Sequence, residues 1–499
     1  LEDQAFTQNM LSIMKLDAMP TSHPILREIN KPSQVLDNFD RIIYWKSTAV
    51  VRMLLDLIGE TAFRTGMERF LNERAYQNAN SEDIWNALDK NVDHNDLGIH
   101  IADLMRPWLL QSGYPIVRVT TNPGRRKVKV EQNVFLLNEE MKESLPPSPY
   151  NYRWDIPLTF VTGSQNDRTS PQKYVIKRSA ETATEINIEN YNENDWIIVN
   201  ANRTGYYRVW YDEENRNRLL RQLDEDHEAI SPASRAALID DAFILSMAGY
   251  LSYSDLFRFT KYMSKERHHL PWGVLLDNFA YVTQMLSLTS AYGLIQDYML
   301  QLIGPVYDAA LDNLNNKVPD SERLLQASIF QAACQYGYPP CIEKAKLEFK
   351  RYVDDGESLH PNFKDSILSA AMVDSDGTTH AFNCLKESDS CGGNSFQWLV
   401  ALSAAPEPWI ISRYADGLFQ MDEIITKVTT WFNTEYQLDE LEQFTASKQG
   451  DLEGAAGLSS LKAAIDNTKS NVRWMNNNYG NVKTWLEQNR EIADQSLRS

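Results

Sequence analysis

The stretch Val-Arg-Val-Thr-Thr-Asn-Pro-Gly-Arg-Arg-Lys-Val-Lys-Val, residues 117–130, has a hydrophobic period of two that the chain before it lacks. Its four valines alternate with other residues on both sides of a central Asn-Pro-Gly segment. Alternation interrupted by turn residues predicts paired strands that each bury one face. The same period returns in residues 152–160 and 207–211, so we predict a small β-sandwich over residues 114–212.

The residues on both sides of this segment follow a helical period. In residues 1–113, Val50, Met53 and Leu57 fall on one face of a predicted helix. The helical period resumes at residue 213 and continues to the end of the chain, where Ser231 and Pro232 have the residue types of a helix start. We therefore predict helical regions at residues 1–113 and 213–499.

The long helical region is predicted to be a solenoid. Each pair of predicted helices takes roughly 40 residues, which is the size of a solenoid repeat. No repeated sequence signature accompanies this spacing, so an irregular helical bundle remains the alternative. Either arrangement buries a long continuous core.

The composition is that of a globular protein. The chain has 499 residues, 43% of them hydrophobic, and a formal net charge of −19. About 150 residues per domain suggests roughly three domains. A strongly negative surface repels phosphate backbones, so we expect no nucleic-acid partner. No apolar run reaches the roughly 18 residues that a membrane-spanning helix needs.

The four cysteines form two pairs with the same spacing. Cys334 and Cys341 are seven residues apart, as are Cys384 and Cys391. This spacing favours two short disulfide loops in an oxidising compartment. The alternative is four unrelated buried thiols. Asn202 begins the one Asn-x-Ser/Thr glycosylation acceptor in the sequence, which agrees with secretion.

The sequence contains no complete catalytic motif of the common kinds. The sequence has no Gly-x-Gly-x-x-Gly, no phosphate-binding loop, no Gly-x-Ser-x-Gly, no Cys-x-x-Cys and no His-x-x-x-His. His268 and His269 are adjacent, and neighbouring side chains on a helix point about 100° apart, so they do not suit chelation of one ion. The residues taken alone therefore predict no complete active site and no metal site.

Several strings, taken in order, resemble the aminopeptidase N family of zinc metallopeptidases. Together they cover nearly the whole chain at sensible spacing. The strings are Asp17, Ser22-His23-Pro24, Phe39-Asp40, Ile43-Tyr44-Trp45-Lys46, Gly113-Tyr114-Pro115, Thr204-Gly205-Tyr206-Tyr207-Arg208-Val209, Leu238-Ile239-Asp240-Asp241-Ala242-Phe243 and Leu270-Pro271-Trp272.

The resemblance implies a fold of three parts. Residues 1–113 would be the helical remainder of a thermolysin-like catalytic domain, and residues 114–212 a β-sandwich. Residues 213–499 would be a large α-solenoid of the HEAT/armadillo kind. The family's His-Glu-x-x-His zinc site and its Gly-Ala-Met-Glu-Asn segment do not occur in this sequence. The chain, which begins without Met, is therefore interpreted as a C-terminal fragment or processed chain that is inactive alone.

The resemblance assigns one catalytic role. Tyr44 matches the family's tyrosine that donates a hydrogen bond to the oxyanion formed when water attacks the scissile carbonyl. The alternative is a tyrosine that only packs. The family usually has Tyr-Ser-Lys-Gly where this chain has Tyr-Trp-Lys-Ser, so Trp45 and Ser47 depart from it. We interpret Lys46 as a solvated lysine at a helix start rather than as a charged catalytic group.

The resemblance further implies a zinc-dependent parent enzyme on the extracellular face of the plasma membrane. Its substrates would be peptides, and its zinc ligands would lie in an N-terminal part of the same protein. The cysteine pairs and the strings look most like insect midgut members, which carry a lipid anchor and bind bacterial crystal toxins. The alternative from another class is a non-catalytic β-sandwich and solenoid that binds toxin, virus or protein partners. A cytosolic transport solenoid is disfavoured by the cysteine pairs and the β region.

Overall fold

The computed structural model describes residues 2–30, 39–93, 98–165, 170–180, 183–189, 191–311, 318–372, 375–386, 398, 401–402, 429–448 and 456–496. The chain divides into two compact units, Leu1–Tyr262 and Met263–Ser499. No helix in the described ranges is long and apolar enough to cross a membrane.

The first unit opens with helices. A π-helix, Ile42–Lys46, continues directly into an α-helix at Ser47. This α-helix is followed by Gly59, with φ at +83°, a left-handed value that favours glycine. The α-helices are α1 (Glu2–Asp17), α2 (Ser47–Ile58), α3 (Glu60–Glu73), α4 (Ser81–Asp89) and α5 (Ile101–Leu109).

Among the described residues, seven strands follow in two sheets. The first sheet has the order β5-β2-β1-β7, and the second has the order β4-β3-β6. The strands are β1 (Pro115–Asn122), β2 (Lys127–Val134), β3 (Ile156–Thr162), β4 (Gln172–Ile176), β5 (Thr184–Asn187), β6 (Ile197–Val199) and β7 (Arg208–Tyr211).

The quoted stretch forms the predicted hairpin. β1 and β2 are antiparallel, with Val119 opposite Val130, and the four valines of residues 117–130 are buried. β1 also pairs with β7 in parallel, which the alternation did not predict. The sandwich stays a prediction, because two sheets within residues 115–211 are necessary for it but do not by themselves establish it.

One predicted strand begins later than the alternation suggested. Tyr152 has a left-handed φ of +54°, and β3 begins only at Ile156. All seven residues of β3 are buried, so this strand lacks the solvent-exposed face that an alternating pattern predicts. Trp154 is fully buried just before the strand and packs against Trp108, with ring centroids 5.8 Å apart. The aromatic residues at 152 and 154 therefore belong to the loop that leads into the strand.

Three helices complete the first unit, α6 (Glu213–Asp226), α7 (Pro232–Met247) and α8 (Tyr253–Thr260). The predicted cap of α7 is confirmed, because the Ser231 hydroxyl accepts a hydrogen bond from the Ser234 N–H at 3.3 Å. Ser252 caps α8 in the same way.

A buried charge cluster connects the strands with α7. Arg208, at the start of β7, lies 2.6 Å from Asp240 and 2.9 Å from Asp241 in nitrogen–oxygen distance. Arg203 lies 2.8 Å from Asp241. Burial raises the pKa of Asp240, but the two arginines outweigh it, and the net pKa is lowered. Two of the strings that the resemblance singled out are thus joined by ion pairs.

The described part of the second unit is helical. Aromatic pairs fill its core, including Tyr298 with Trp485 and Tyr281 with Trp474. Its α-helices are α9 (His269–Leu286), α10 (Tyr292–Leu311), α11 (Asp320–Gln335), α12 (Pro339–Asp354), α13 (Lys364–Ala371), α14 (Ser375–Lys386), α15 (Glu435–Lys448) and α16 (Ala456–Ser496). Helices in succession agree with the predicted region, and the solenoid arrangement stays a prediction, as do the domain boundaries at residues 113 and 212.

The Cys334–Cys341 disulfide is confirmed. It joins the end of α11 to the first turn of α12, with Cα atoms 5.2 Å apart. The alternative of four free thiols is therefore wrong. Cys384 lies in α14, and Cys391 lies outside the described residues, so the second bridge stays a prediction.

Candidate active site

Tyr44 lies in the middle of the π-helix Ile42–Lys46. Its side chain is 55% exposed, and its ring lies 6.5 Å from the ring of Phe39, which is 64% exposed. Within the described part of the chain, its hydroxyl makes no hydrogen bond. A π-helix is rare, and single π-turns frequently occur at functional sites. The hydroxyl is therefore available to a ligand.

Two hydroxyls stabilise the exit from the π-helix. Ser47 Oγ donates to the carbonyl oxygens of Ile43 and Tyr44, and Thr48 Oγ1 donates to the Tyr44 carbonyl at 2.6 Å. A π-helix shifts the usual carbonyl partners, and these side chains supply donors there. Ser47 replaces the glycine that the resembled family usually has, so this departure has a structural role.

The entry to the π-helix is held by Asp40. Its Oδ1 accepts a hydrogen bond from the Ile43 N–H at 3.0 Å, and its Oδ2 lies 2.5 Å from His23 Nε2. Burial raises the pKa of Asp40, but the Ile43 N–H and His23 outweigh it, and the net pKa is lowered. The His23–Asp40 pair therefore connects the loop after α1 to the segment that carries Tyr44.

The interpretation of Lys46 as a solvated lysine is wrong. Its side chain is fully buried, and its Nζ lies 2.9 Å from Asp17 Oδ2. Nζ also donates to the carbonyl oxygens of Gly113, at 2.9 Å, and Gln111, at 3.4 Å. Three acceptors therefore surround the three protons of the ammonium group, so its hydrogen-bonding capacity is satisfied inside the protein.

Asp17, at the end of α1, is equally well satisfied. Besides Lys46, it accepts hydrogen bonds from the Gly113 N–H at 3.0 Å, the Tyr206 hydroxyl at 3.1 Å and the Ser22 hydroxyl. Its side chain is 0% exposed. Four donors on one carboxylate match its four lone-pair sites. The sequence strings contained Asp17 but gave no role to it.

A signal for this pair was present in the sequence. Asp17 follows Met10 and Met14 at a spacing of seven and three, so it falls on the buried stripe of α1. Lys46 precedes Ala49 and Met53 by three and seven residues, on the buried stripe of α2. Two opposite charges on apolar stripes predict a buried pair, although they do not identify each other as partners.

The described residues provide no metal centre. Nowhere in them do three His, Cys, Asp or Glu side chains come together in a way that could hold a metal ion. The rings of His268 and His269 stack with centroids 4.6 Å apart.

Asn202 lies against the start of α7. Its Oδ1 accepts a hydrogen bond from the Ser231 hydroxyl at 2.6 Å, and its N–H donates to Ser234 Oγ at 3.0 Å. Its φ is +57°, in the left-handed region. Glycosylation of Asn202 stays a prediction.

Two family models match this chain. The Peptidase family M1 domain matches residues 1–108, which include the whole π-helix, and the ERAP1-like C-terminal domain matches residues 196–424. Both matches agree with the order of the strings. The chain belongs to the aminopeptidase N family.

Curated members of the aminopeptidase N family align over nearly all of this chain. Aminopeptidase N of Homo sapiens is 27% identical over 98% of the chain and 55% of its own length. Aminopeptidase Ey of Gallus gallus is 28% identical over 97% of the chain and 55% of its length. Thyrotropin-releasing hormone-degrading ectoenzyme of Rattus norvegicus is 27% identical over 97% and 50%. The chain thus spans about half the length of the curated relatives it matches.

Proposed function

We propose that this chain is the C-terminal part of an extracellular zinc aminopeptidase that releases residues from peptide N-termini. Tyr44 would donate the hydrogen bond that stabilises the oxyanion formed at the scissile carbonyl. The observation that carries the proposal is the exposed Tyr44 hydroxyl on a π-helix, inside the segment that matches the M1 peptidase domain. The names of the relatives support peptidase chemistry over a purely binding scaffold.

The chemistry of a phenol suits this role. A tyrosine hydroxyl can donate one hydrogen bond. Negative charge develops on the carbonyl oxygen as water attacks, so a donor aimed at that oxygen stabilises the transition state more than the substrate. Within the described residues nothing competes for the Tyr44 hydroxyl, and the backbone on both sides of it is fixed by Asp40 and Ser47.

The zinc ligands and the site for the substrate's free amine are assigned to residues outside this sequence. The motifs that supply them in the family do not occur in it. On this proposal, the 499-residue chain alone does not hydrolyse peptides. The extracellular location is supported by the Cys334–Cys341 disulfide and by a relative that is named an ectoenzyme. The insect midgut setting, the lipid anchor and toxin binding rest on the resemblance alone.

The test uses the intact protein that carries this chain. We expect Tyr44→Phe to lower kcat for an aminoacyl-p-nitroanilide by about 10²- to 10³-fold, the cost of losing one oxyanion donor. KM and the melting temperature should stay close to those of the wild type, because the exposed hydroxyl makes no contact within the described residues.

Tyr174→Phe is the matched control, since Tyr174 is also a partly exposed tyrosine, at 41%, and lies in β4. It should leave kcat unchanged. Near-normal turnover in Tyr44→Phe would reject the catalytic role of Tyr44. An intact wild-type protein without aminopeptidase activity would instead favour the binding scaffold.

A further inference from the structure

The backbone around Tyr44, rather than its side chain, determines where the hydroxyl lies. The one ring that contacts Tyr44 within the described residues is Phe39, which is itself mostly exposed. A side chain with so few contacts takes its position from the segment that carries it. That segment is the π-helix, and its last residue is Lys46.

Lys46 connects the π-helix to two other segments. Asp17 ends α1, whereas Gln111 and Gly113 lie in the short link between α5 and β1. Residues 44 and 46 lie on opposite sides of the helix, which is why Tyr44 is exposed while Lys46 is fully buried. The buried Lys46 ammonium therefore anchors the face of the π-helix that is opposite the Tyr44 hydroxyl.

A buried ion pair restricts position more than an apolar contact does. The Asp17 carboxylate and the Lys46 ammonium each lose hydration on burial. Only the observed geometry, with five further hydrogen bonds to the pair, compensates for that loss. A shift of the π-helix by one residue would remove Lys46 from all three of its acceptors. Such a pair can specify a single arrangement of the segments that it joins.

We propose that Lys46 is a positioning residue: through its buried pair with Asp17 it fixes the π-helix and so places the Tyr44 hydroxyl. This inference rests on the proposed function of Tyr44 for its kinetic consequence only. Its structural consequence, the rigidity of residues 42–48, does not depend on any activity.

The structural test is amide hydrogen exchange measured by mass spectrometry on the intact protein. Lys46→Arg keeps the charge but changes the shape of the donor group. We expect it to speed exchange in peptides covering residues 42–48 by about tenfold or more, because local opening becomes easier. Arg178→Lys is the matched control, since Arg178 pairs with the buried Asp155 elsewhere in the same unit. It should leave exchange at residues 42–48 unchanged, and unchanged exchange in Lys46→Arg would overturn the proposal.

The kinetic test is a double-mutant cycle. A catalytic group displaced by about 1 Å can lose up to 10²-fold in rate, so we expect Lys46→Arg to lower kcat by about 10- to 100-fold with little change in KM. In a Tyr44→Phe background the same change should have almost no further effect, because the group it positions is already missing. Equal losses in both backgrounds would show a general structural role and would overturn the proposal.

A second variant covers the case in which Lys46→Arg does not fold. Replacing both partners, as Asp17→Asn with Lys46→Met, leaves no unpaired buried charge and is therefore expected to fold. The same faster exchange and the same non-additive loss of kcat are expected for it. If the wild type is inactive, the proposed function fails, while the exchange measurement still decides whether Lys46 holds the π-helix.

Discussion

The π-helix Ile42–Lys46 and the turn between α11 and α12 are two short segments that the chain holds by opposite means. The first is held by a buried ion pair, Lys46 with Asp17, and by hydrogen bonds. The second is closed by the Cys334–Cys341 disulfide. A disulfide stabilises chiefly by restricting the unfolded chain, whereas a buried ion pair is sensitive to the position of each atom. The two segments should therefore respond differently to substitution, the first through the position of its atoms and the second through the stability of the fold.

The largest effect is expected from breaking the ion pair. Lys46→Met leaves the Asp17 carboxylate buried without its counter-charge, which typically costs about 3–5 kcal/mol of stability. The measurement is urea unfolding of the intact protein followed by tryptophan fluorescence. Adding Asp17→Asn should restore most of the loss, and a cost of Lys46→Met below about 1 kcal/mol would mean that the pair is not a closed buried unit.

The disulfide should have a smaller effect, and one confined to stability. Cys334→Ala with Cys341→Ala is expected to cost about 2–3 kcal/mol, the loop-closure entropy of a short loop. Differential scanning calorimetry should show a lower melting temperature, while kcat of the intact protein stays the same. A loss of kcat without a loss of stability would contradict the assignment of a purely stabilising role to this disulfide.

His269, at the start of α9 in the second unit, should make the stability of the protein depend on pH. Burial and the neighbouring His268 lower the pKa of His269 from 6.5 to about 4. Between about pH 4 and pH 6.5, His269 binds a proton in the unfolded chain but not in the folded protein. The free energy of unfolding should therefore rise as the pH increases from about 4 to about 6.5. Urea unfolding across this range should show a slope that His269→Asn removes. A slope that the variant keeps would assign the effect to another group.

The smallest effect is expected at Ser47. Its hydroxyl donates to the Ile43 and Tyr44 carbonyls, so Ser47→Ala should cost about 0.5–1.5 kcal/mol, the net contribution of a hydrogen bond. Faster amide exchange should be limited to residues 42–48. If Ser47→Ala stabilised the protein, the hydroxyl would have no part in holding the π-helix.

The sequence predicted best where a pattern depends on local spacing. The seven-residue spacing gave the Cys334–Cys341 bridge, and the alternation gave the pairing of β1 with β2. The short strands β4, β5 and β6, of five, four and three residues, are too brief to show a period and were missed. The parallel partner of β1 was missed because it lies about 90 residues further along the chain.

The site was predicted in part, and for a physical reason. The resemblance identified Tyr44 and its neighbours. Lys46 was interpreted as solvated, because a lysine on an apolar stripe does not reveal whether an opposite charge lies across from it. The partner of Lys46 is Asp17, which is 29 residues earlier in another helix. Only the packing of α1 against the π-helix in the folded structure identifies the two as partners. The π-helix was also missed, since one extra residue in a turn leaves no signal in hydrophobic periodicity.

The most direct test of the catalytic role compares a transition-state mimic with a substrate. The inhibition constant of a phosphinic pseudopeptide, whose tetrahedral oxygens mimic the oxyanion, is measured on the intact wild-type protein and on its Tyr44→Phe variant. If Tyr44 donates to the oxyanion, the variant should bind the mimic about 10²-fold more weakly while KM for the matching peptide changes by less than about threefold. Equal inhibition constants for the two proteins would contradict the role assigned to Tyr44.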